Sequence, residues 1–148
     1  MATAVSEETL SKQIHNLIAL DFDAIEAYQA ALERLDDNES KTRLAGFKAD
    51  HERHTEALGA HLSAMGETPP TKGDLKSLLT KGKVVIAGLA GDKAILQAMK
   101  SNEEDTVGAY AEATAQAGFP AALAQTLDEN LADEKRHREW IERRIDQL

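Results

Sequence analysis

The amino-acid sequence predicts an all-α protein, a four-helix bundle with antiparallel neighbours and one long crossover. Three observations predict it. Four segments carry apolar residues at helical spacing. Turn residues, glycines and prolines punctuate their ends. The second pair of segments repeats the pattern of the first.

The first segment runs from about Ser6 to Leu35, with an inward stripe of Leu10, Ile14, Leu17, Asp21, Ala24, Tyr28, Ala31 and Leu35. Asp36-Asp37-Asn38 breaks it. The second runs from about Ser40 to Met65, with Leu44, Phe47, His51, His54, Leu58, His61 and Met65 on its stripe. Gly66 suits the position past a helix end, and Pro69-Pro70 forbids continuation. The third runs from about Asp92, read as its N-cap, to Ala117. Its stripe is Leu96, Met99, Glu103, Thr106, Tyr110, Ala113 and Ala117, and Gly118 ends it. Pro120 then opens the fourth as a first-turn proline. That stripe is Leu123, Leu127, Asn130, Glu134, His137, Ile141 and then Arg144 or Ile145.

Glu67 to Gly91 connects the second and third segments. Asp74 to Leu89 is amphipathic enough for a short helix, while Val84-Val85-Ile86 is β-branched and reads as strand in isolation, with no partner strand visible. A connection this long carries the chain from one end of the bundle to the other, so helices two and three run parallel. The 148 residues fit one domain, 1–148.

Composition removes several function classes. A net charge of -9 without basic clusters argues against nucleic-acid backbones and anionic membranes. There is no cysteine, hence no disulfide or thiolate chemistry. Met1 to Gln13 lacks a secretory pattern, and the apolar run Val84 to Ala90 is too short to span a bilayer, so a cytoplasmic location is expected. No glycine-rich phosphate loop occurs, since Gly82, Gly88 and Gly91 lack the spacing.

Every stripe turns ionisable at mid-height: Asp21; His51 and His54; Glu103; Glu134 and His137. Burying an unpaired ion costs several kcal/mol, so a metal or mutual pairing must neutralise them. The halves correspond. Asp21 precedes Tyr28 by seven residues, as Glu103 precedes Tyr110. Ala49-Asp50-His51-Glu52-Arg53-His54 aligns with Ala132-Asp133-Glu134-Lys135-Arg136-His137. Such a duplication places the site on a pseudo-two-fold axis. Residues three apart share a helix face and can chelate one ion together. The tyrosines sit two turns from the carboxylates, where their hydroxyls can orient ligands.

A carboxylate with Tyr seven residues on, followed by Glu-x-x-His and repeated twice, resembles the ferritin-like superfamily of ferritins, bacterioferritins, rubrerythrins and other di-iron carboxylate proteins. The resemblance covers all four helices. The stretch from Leu75 through Gly91-Asp92-Lys93-Ala94-Ile95-Leu96 to Tyr110 also resembles small bacterial ferritin-like proteins of unassigned function. It implies a metal centre of Asp21, His51, His54, Glu103, Glu134 and His137, holding one or two iron ions, with manganese or zinc as alternatives. Tyr28 and Tyr110 would orient ligands or donate electrons. The implied activity is that of a ferroxidase-type or peroxide-consuming oxidoreductase, using oxygen or peroxide.

Two positions depart from the family pattern. Asp21 stands where the family has Glu, and His51 where it has the second bridging Glu. Asp50 is a candidate to swing inward for the missing group. The departures favour an asymmetric site. They also leave open a non-catalytic stress or interaction module with a metal-free His/carboxylate network. A cage-forming iron store is disfavoured for want of an extra helix or tail. A homodimer is expected if Ala27, Ala30 and Ala31 form an outer packing face.

Overall fold

A computed structural model of the protein describes residues 5–75 and 85–148. Four helices carry the fold: α1 (Glu7–Arg34), α2 (Asn38–Ala64), α3 (Asp92–Ala115) and α4 (Ala121–Gln147). At about 1.5 Å per residue each is roughly 36–42 Å long. No strand occurs among the described residues.

Local chemistry sets the ends. Ser6 Oγ accepts from Thr9 N at 3.3 Å and caps α1. Asp37 caps α2 through Ser40 N at 3.1 Å, so that helix begins two residues before the expected Ser40. Gly66 takes a positive φ of 82° just past α2, which glycine adopts without a Cβ clash. Two cap assignments from the sequence are corrected. Asp92 is the first residue of α3, with Gly91 at the cap position. Its carboxylate instead accepts the N–H groups of Asp36 and Asp37, both at 2.8 Å. Pro120 is itself the N-cap of α4 rather than its first helical residue.

Cross-helix contacts give the topology. On α1 and α2, Asp21 meets His51 and His54 while Tyr28 meets Phe47. On α1 and α3, Tyr28 meets Glu103 while Asp21 meets Tyr110. On α3 and α4, Glu103 meets His137 and Tyr110 meets Asn130. On α2 and α4, Asp50 meets His137 while His54 meets Asp133. In each pair one number rises as the other falls, so all four neighbouring pairs are antiparallel. Helices α2 and α3 therefore run parallel across a diagonal, and residues 65–91 link opposite ends of the bundle. Residues 76–84 of the expected short helix lie outside the described residues. Val85 and Ile86 are helical, not extended, and Ile86 is buried. Val84 lies outside the described residues.

The core is split into two apolar clusters. One holds Leu35, Leu44, Phe47, Ile95, Leu96, Met99 and Ile141. The other holds Leu10, Ile14, Leu58, Leu62, Leu123 and Leu127. Each fully buried Leu or Ile contributes about 1.5–3 kcal/mol relative to exposure, so the clusters clamp both ends of the bundle. The described residues of the connection pack at both ends of the bundle, Leu75 against one cluster and Ile86 and Leu89 in or against the other. Ala27, Ala30 and Ala31 are buried, at 1%, 6% and 0% exposure. Those alanines are interior and form no outer packing face. Among the described residues, no helix is long and apolar enough to cross a membrane.

Candidate metal centre

Between the clusters lies a polar layer. Asp21, His51, His54, Glu103, Glu134 and His137 all have 0% exposure. Each sits at the middle of its helix, where the 3.6-residue repeat has turned the stripe inward. All six candidates from the sequence converge here. They form two groups of four: Asp21, His51, His54 and Glu134; and His51, Glu103, Glu134 and His137. Within each group the offered ligand atoms lie within 4.8 Å of one another.

His51 lies at the middle. Its Nδ1 is 2.7 Å from Asp21 Oδ1, and its Nε2 is 3.0 Å from Glu103 Oε1 and 3.3 Å from Glu134 Oε2. His54 Nδ1 is 3.2 Å from Asp21 Oδ1 and 3.1 Å from Glu134 Oε1. His137 Nδ1 is 3.4 Å from Glu103 Oε1 and 3.6 Å from Glu134 Oε2. Two of these buried atoms, His137 Nδ1 and Glu134 Oε1, have no hydrogen-bond partner. The approach of His54 Nδ1 to Glu134 Oε1 is close but lacks hydrogen-bond alignment.

The duplication seen in the sequence is repeated in the contacts. Tyr28 donates to Glu103 Oε1, and Tyr110 donates to Asp21 Oδ2. His137 Nε2 lies 2.7 Å from Asp50 Oδ2, and His54 Nε2 lies 2.9 Å from Asp133 Oδ2. Arg53 reaches both Asp50 and Asp133, at 2.8 and 3.0 Å, and Arg136 reaches the same two at 2.9 and 3.0 Å. His51 and Glu134, which occupy equivalent positions, touch each other across the pseudo-two-fold axis.

Asp50 therefore does not swing inward to replace a bridging group. It accepts the outer N–H of His137 and is held there by two guanidinium groups. Asp133 does the same for His54. Each carboxylate fixes its imidazole with Nδ1 toward the centre, the arrangement that orients metal-binding histidines. The aligned hexads contained the signal for this layer, since Asp50 and Asp133, and Arg53 and Arg136, match position by position. Thr106, on the predicted stripe but given no role, donates toward Glu103 Oε2 at 3.0 Å and Glu134 Oε2 at 3.2 Å. Asn130 Nδ2 donates to Tyr110 Oη at 3.3 Å. His61 pairs with Thr126 Oγ1 at 2.9 Å, away from the layer.

The electrostatics follow from burial opposed by pairing. For His137, burial alone would lower the pKa, but Asp50 and then Glu103 and Glu134 raise it to about 10. For His54, burial is outweighed by Asp21 and Glu134, and the pKa rises to about 9. His51 is also raised, burial being overcome by Glu134 and Glu103. Burial favours the neutral form of Glu103, yet His51 and His137 hold it well below the usual carboxylate range. Glu134 is raised, chiefly by burial. Both tyrosines are pushed well above their ordinary value by burial beside carboxylates, so they remain donors.

The model for a domain of unknown function, DUF2383, matches residues 9–116. The chain belongs to this family. The match spans α1 to α3 and stops before α4, so Glu134 and His137 lie outside the matched residues. No curated protein and no solved structure matches the chain.

The donor set fits a divalent ion. Carboxylate oxygens and imidazole nitrogens suit iron, manganese and zinc alike. Inward-facing Nδ1 atoms with their outer nitrogens already bound, and a carboxylate oxygen without a donor, are what such an ion requires.

Proposed function

We propose that this protein is a ferritin-like metal-binding protein that holds iron in the polar layer and supports oxidation of Fe(II) by oxygen or peroxide. The observation that supports this reading most is the pair of partnerless atoms, His137 Nδ1 and Glu134 Oε1, buried between carboxylates and imidazoles. A buried polar atom left unpaired costs about 1–3 kcal/mol, and coordination removes that cost. The likeness of the repeated carboxylate–Tyr spacing and of Glu134-x-x-His137 to di-iron proteins supports the choice of iron.

In this reading the ligands are drawn from Glu103, Glu134 and His137 together with Asp21, His51 and His54. Iron would supply the redox electron. The chain's own part is to position and to exclude. Asp50 and Asp133 hold the two outer imidazole nitrogens. Tyr28, Tyr110 and Thr106 fix the carboxylate oxygens. The two apolar clusters keep bulk water from the layer.

Metal content after anaerobic Fe(II) loading tests the reading, with a Glu134→Ala/His137→Ala variant as control. Stoichiometric iron in the wild type, its loss in the variant, and oxygen uptake by the loaded wild type are expected. Iron retained equally by both would refute it. A second reading, a metal-free network, is favoured by His51, whose two nitrogens both lie against carboxylates. It predicts that neither protein retains iron.

A further inference from the structure

The sequence leaves one or two ions open. We propose that His51 limits the centre to a single divalent ion, held by Glu103, Glu134, His137 and His51 Nε2. Asp21 and His54 then serve as a hydrogen-bonded counterpart rather than a second metal site. The proposal rests on the metal-centre reading and deepens it.

Both four-residue groups share His51 and Glu134. A carboxylate at each shared position could give an oxygen to each of two ions. Glu134 retains that capacity, with Oε1 toward His54 and Oε2 toward His51 and His137. An imidazole does not. Its two nitrogens point into opposite halves, Nδ1 at Asp21 Oδ1 and Nε2 at Glu103 Oε1. A neutral imidazole carries one N–H and one lone pair. Whichever half receives the lone pair, the other receives a proton aimed at the oxygen that would otherwise bind metal.

The surroundings decide which half. On the Asp21 side both inward nitrogens are engaged: Asp21 Oδ1 lies within hydrogen-bond reach of His51 Nδ1 and His54 Nδ1, while Oδ2 accepts from Tyr110. Aspartate is also one methylene shorter than its counterpart Glu103. In the other half His137 Nδ1 is partnerless, and its carboxylate neighbours stand at 3.4 and 3.6 Å. The inward nitrogen of His54 is engaged by Asp21 and that of His137 is open, so the His137 half takes the ion. Charge points the same way. Two divalent ions would bring four positive charges to three carboxylates, a buried excess that needs a further anion.

Equilibrium dialysis of the full chain against Mn(II), with elemental analysis and electron paramagnetic resonance, tests this. The wild type should hold one manganese per chain, with the six-line spectrum of an isolated ion. His51→Glu restores a carboxylate opposite Glu134 and should raise the content to two, with spin coupling between the ions. His137→Ala should lose the ion, and His54→Ala should keep it. Two coupled ions in the wild type overturn the proposal and leave the metal-centre reading standing. So does a folded His51→Glu variant that still holds one. If His51→Glu does not fold, loss of the ion from His54→Ala and its retention by His137→Ala overturn the assignment of halves. A wild type that binds neither Mn(II) nor, anaerobically, Fe(II) refutes this proposal and the metal-centre reading together.

Discussion

Thr106 shows how closely the polar layer is wired. Its single hydroxyl lies 2.9 Å from its own turn's carbonyl, Glu103 O, and within 3.2 Å of oxygens on both Glu103 and Glu134. Replacing it by valine keeps the shape and removes the donor. Thr106→Val should lower stability by about 1–3 kcal/mol, read from urea denaturation of the metal-free protein. Asp50 acts from outside the layer by holding His137. Asp50→Asn should leave helix content unchanged and weaken Mn(II) binding about 10–100-fold, measured by calorimetric titration. The histidines also set a pH trend. Folded His54 and His137 hold protons up to about 9 and about 10, against an ordinary value of 6.5. The folded form thus binds more protons than the unfolded one across that interval. The stability they contribute is complete below pH 6.5 and is lost as pH rises through 9 to 10. The metal-free melting temperature should fall over this range, while the increment from added Mn(II) should grow, because the ion competes with those protons. Calorimetry with and without Mn(II) checks both, and a flat metal-free profile would show that the imidazoles are not charged. The six inward residues were legible because they interrupt apolar stripes. Their outer partners were harder to see, since Asp50 and Asp133 fall beside the stripe and resemble ordinary surface acids until the fold places each across from a histidine.

At the scale of helices, the ends are tied together where the sequence suggested separate caps. Asp92, at the start of α3, accepts both N–H groups of the α1–α2 turn. Arg144 near the end of α4 grips Asp37, the cap of α2, through Nε at 3.0 Å and Nη2 at 2.8 Å. One end of the bundle is thus joined through polar contacts of α3 and α4 with the α1–α2 turn. Asp92→Ala removes two hydrogen bonds and should cost about 1–3 kcal/mol, measured by thermal or urea unfolding. Asp37 is held below the usual carboxylate range by Ser40 and Arg144. Its contribution is present above the ordinary carboxylate value and lost as pH falls through the folded one, so Arg144→Ala should destabilise at neutral pH and much less in strong acid. Periodicity located the helices within a few residues. It did not reveal that α1 also buries Ile18, Ile25, Ala27 and Ala30, which lie off the stripe read from the sequence.

Across the whole molecule, a repeated helix pair becomes a repeated set of contacts, and the exceptions are informative. Offsets of 82 and 83 residues relate the two halves in sequence. The same relation links Tyr28–Glu103 with Tyr110–Asp21, and His137–Asp50 with His54–Asp133. The symmetry is broken at His51 against Glu134 and at Asp21 against Glu103, the positions on which the proposed single-ion stoichiometry rests. The bundle was readable from periodicity and punctuation, and the parallel run of α2 and α3 from the length of their connection. The ion count was not, because it depends on where two ring nitrogens point. The most direct test of the central claim is a crystal structure of the full chain grown with Mn(II), with anomalous scattering recorded. The account predicts one strong anomalous peak within coordination distance of Glu103, Glu134 and His137, and none on the Asp21–His54 side. A layer without a peak, with its hydrogen bonds closed and manganese bound only to surface carboxylates, would contradict it.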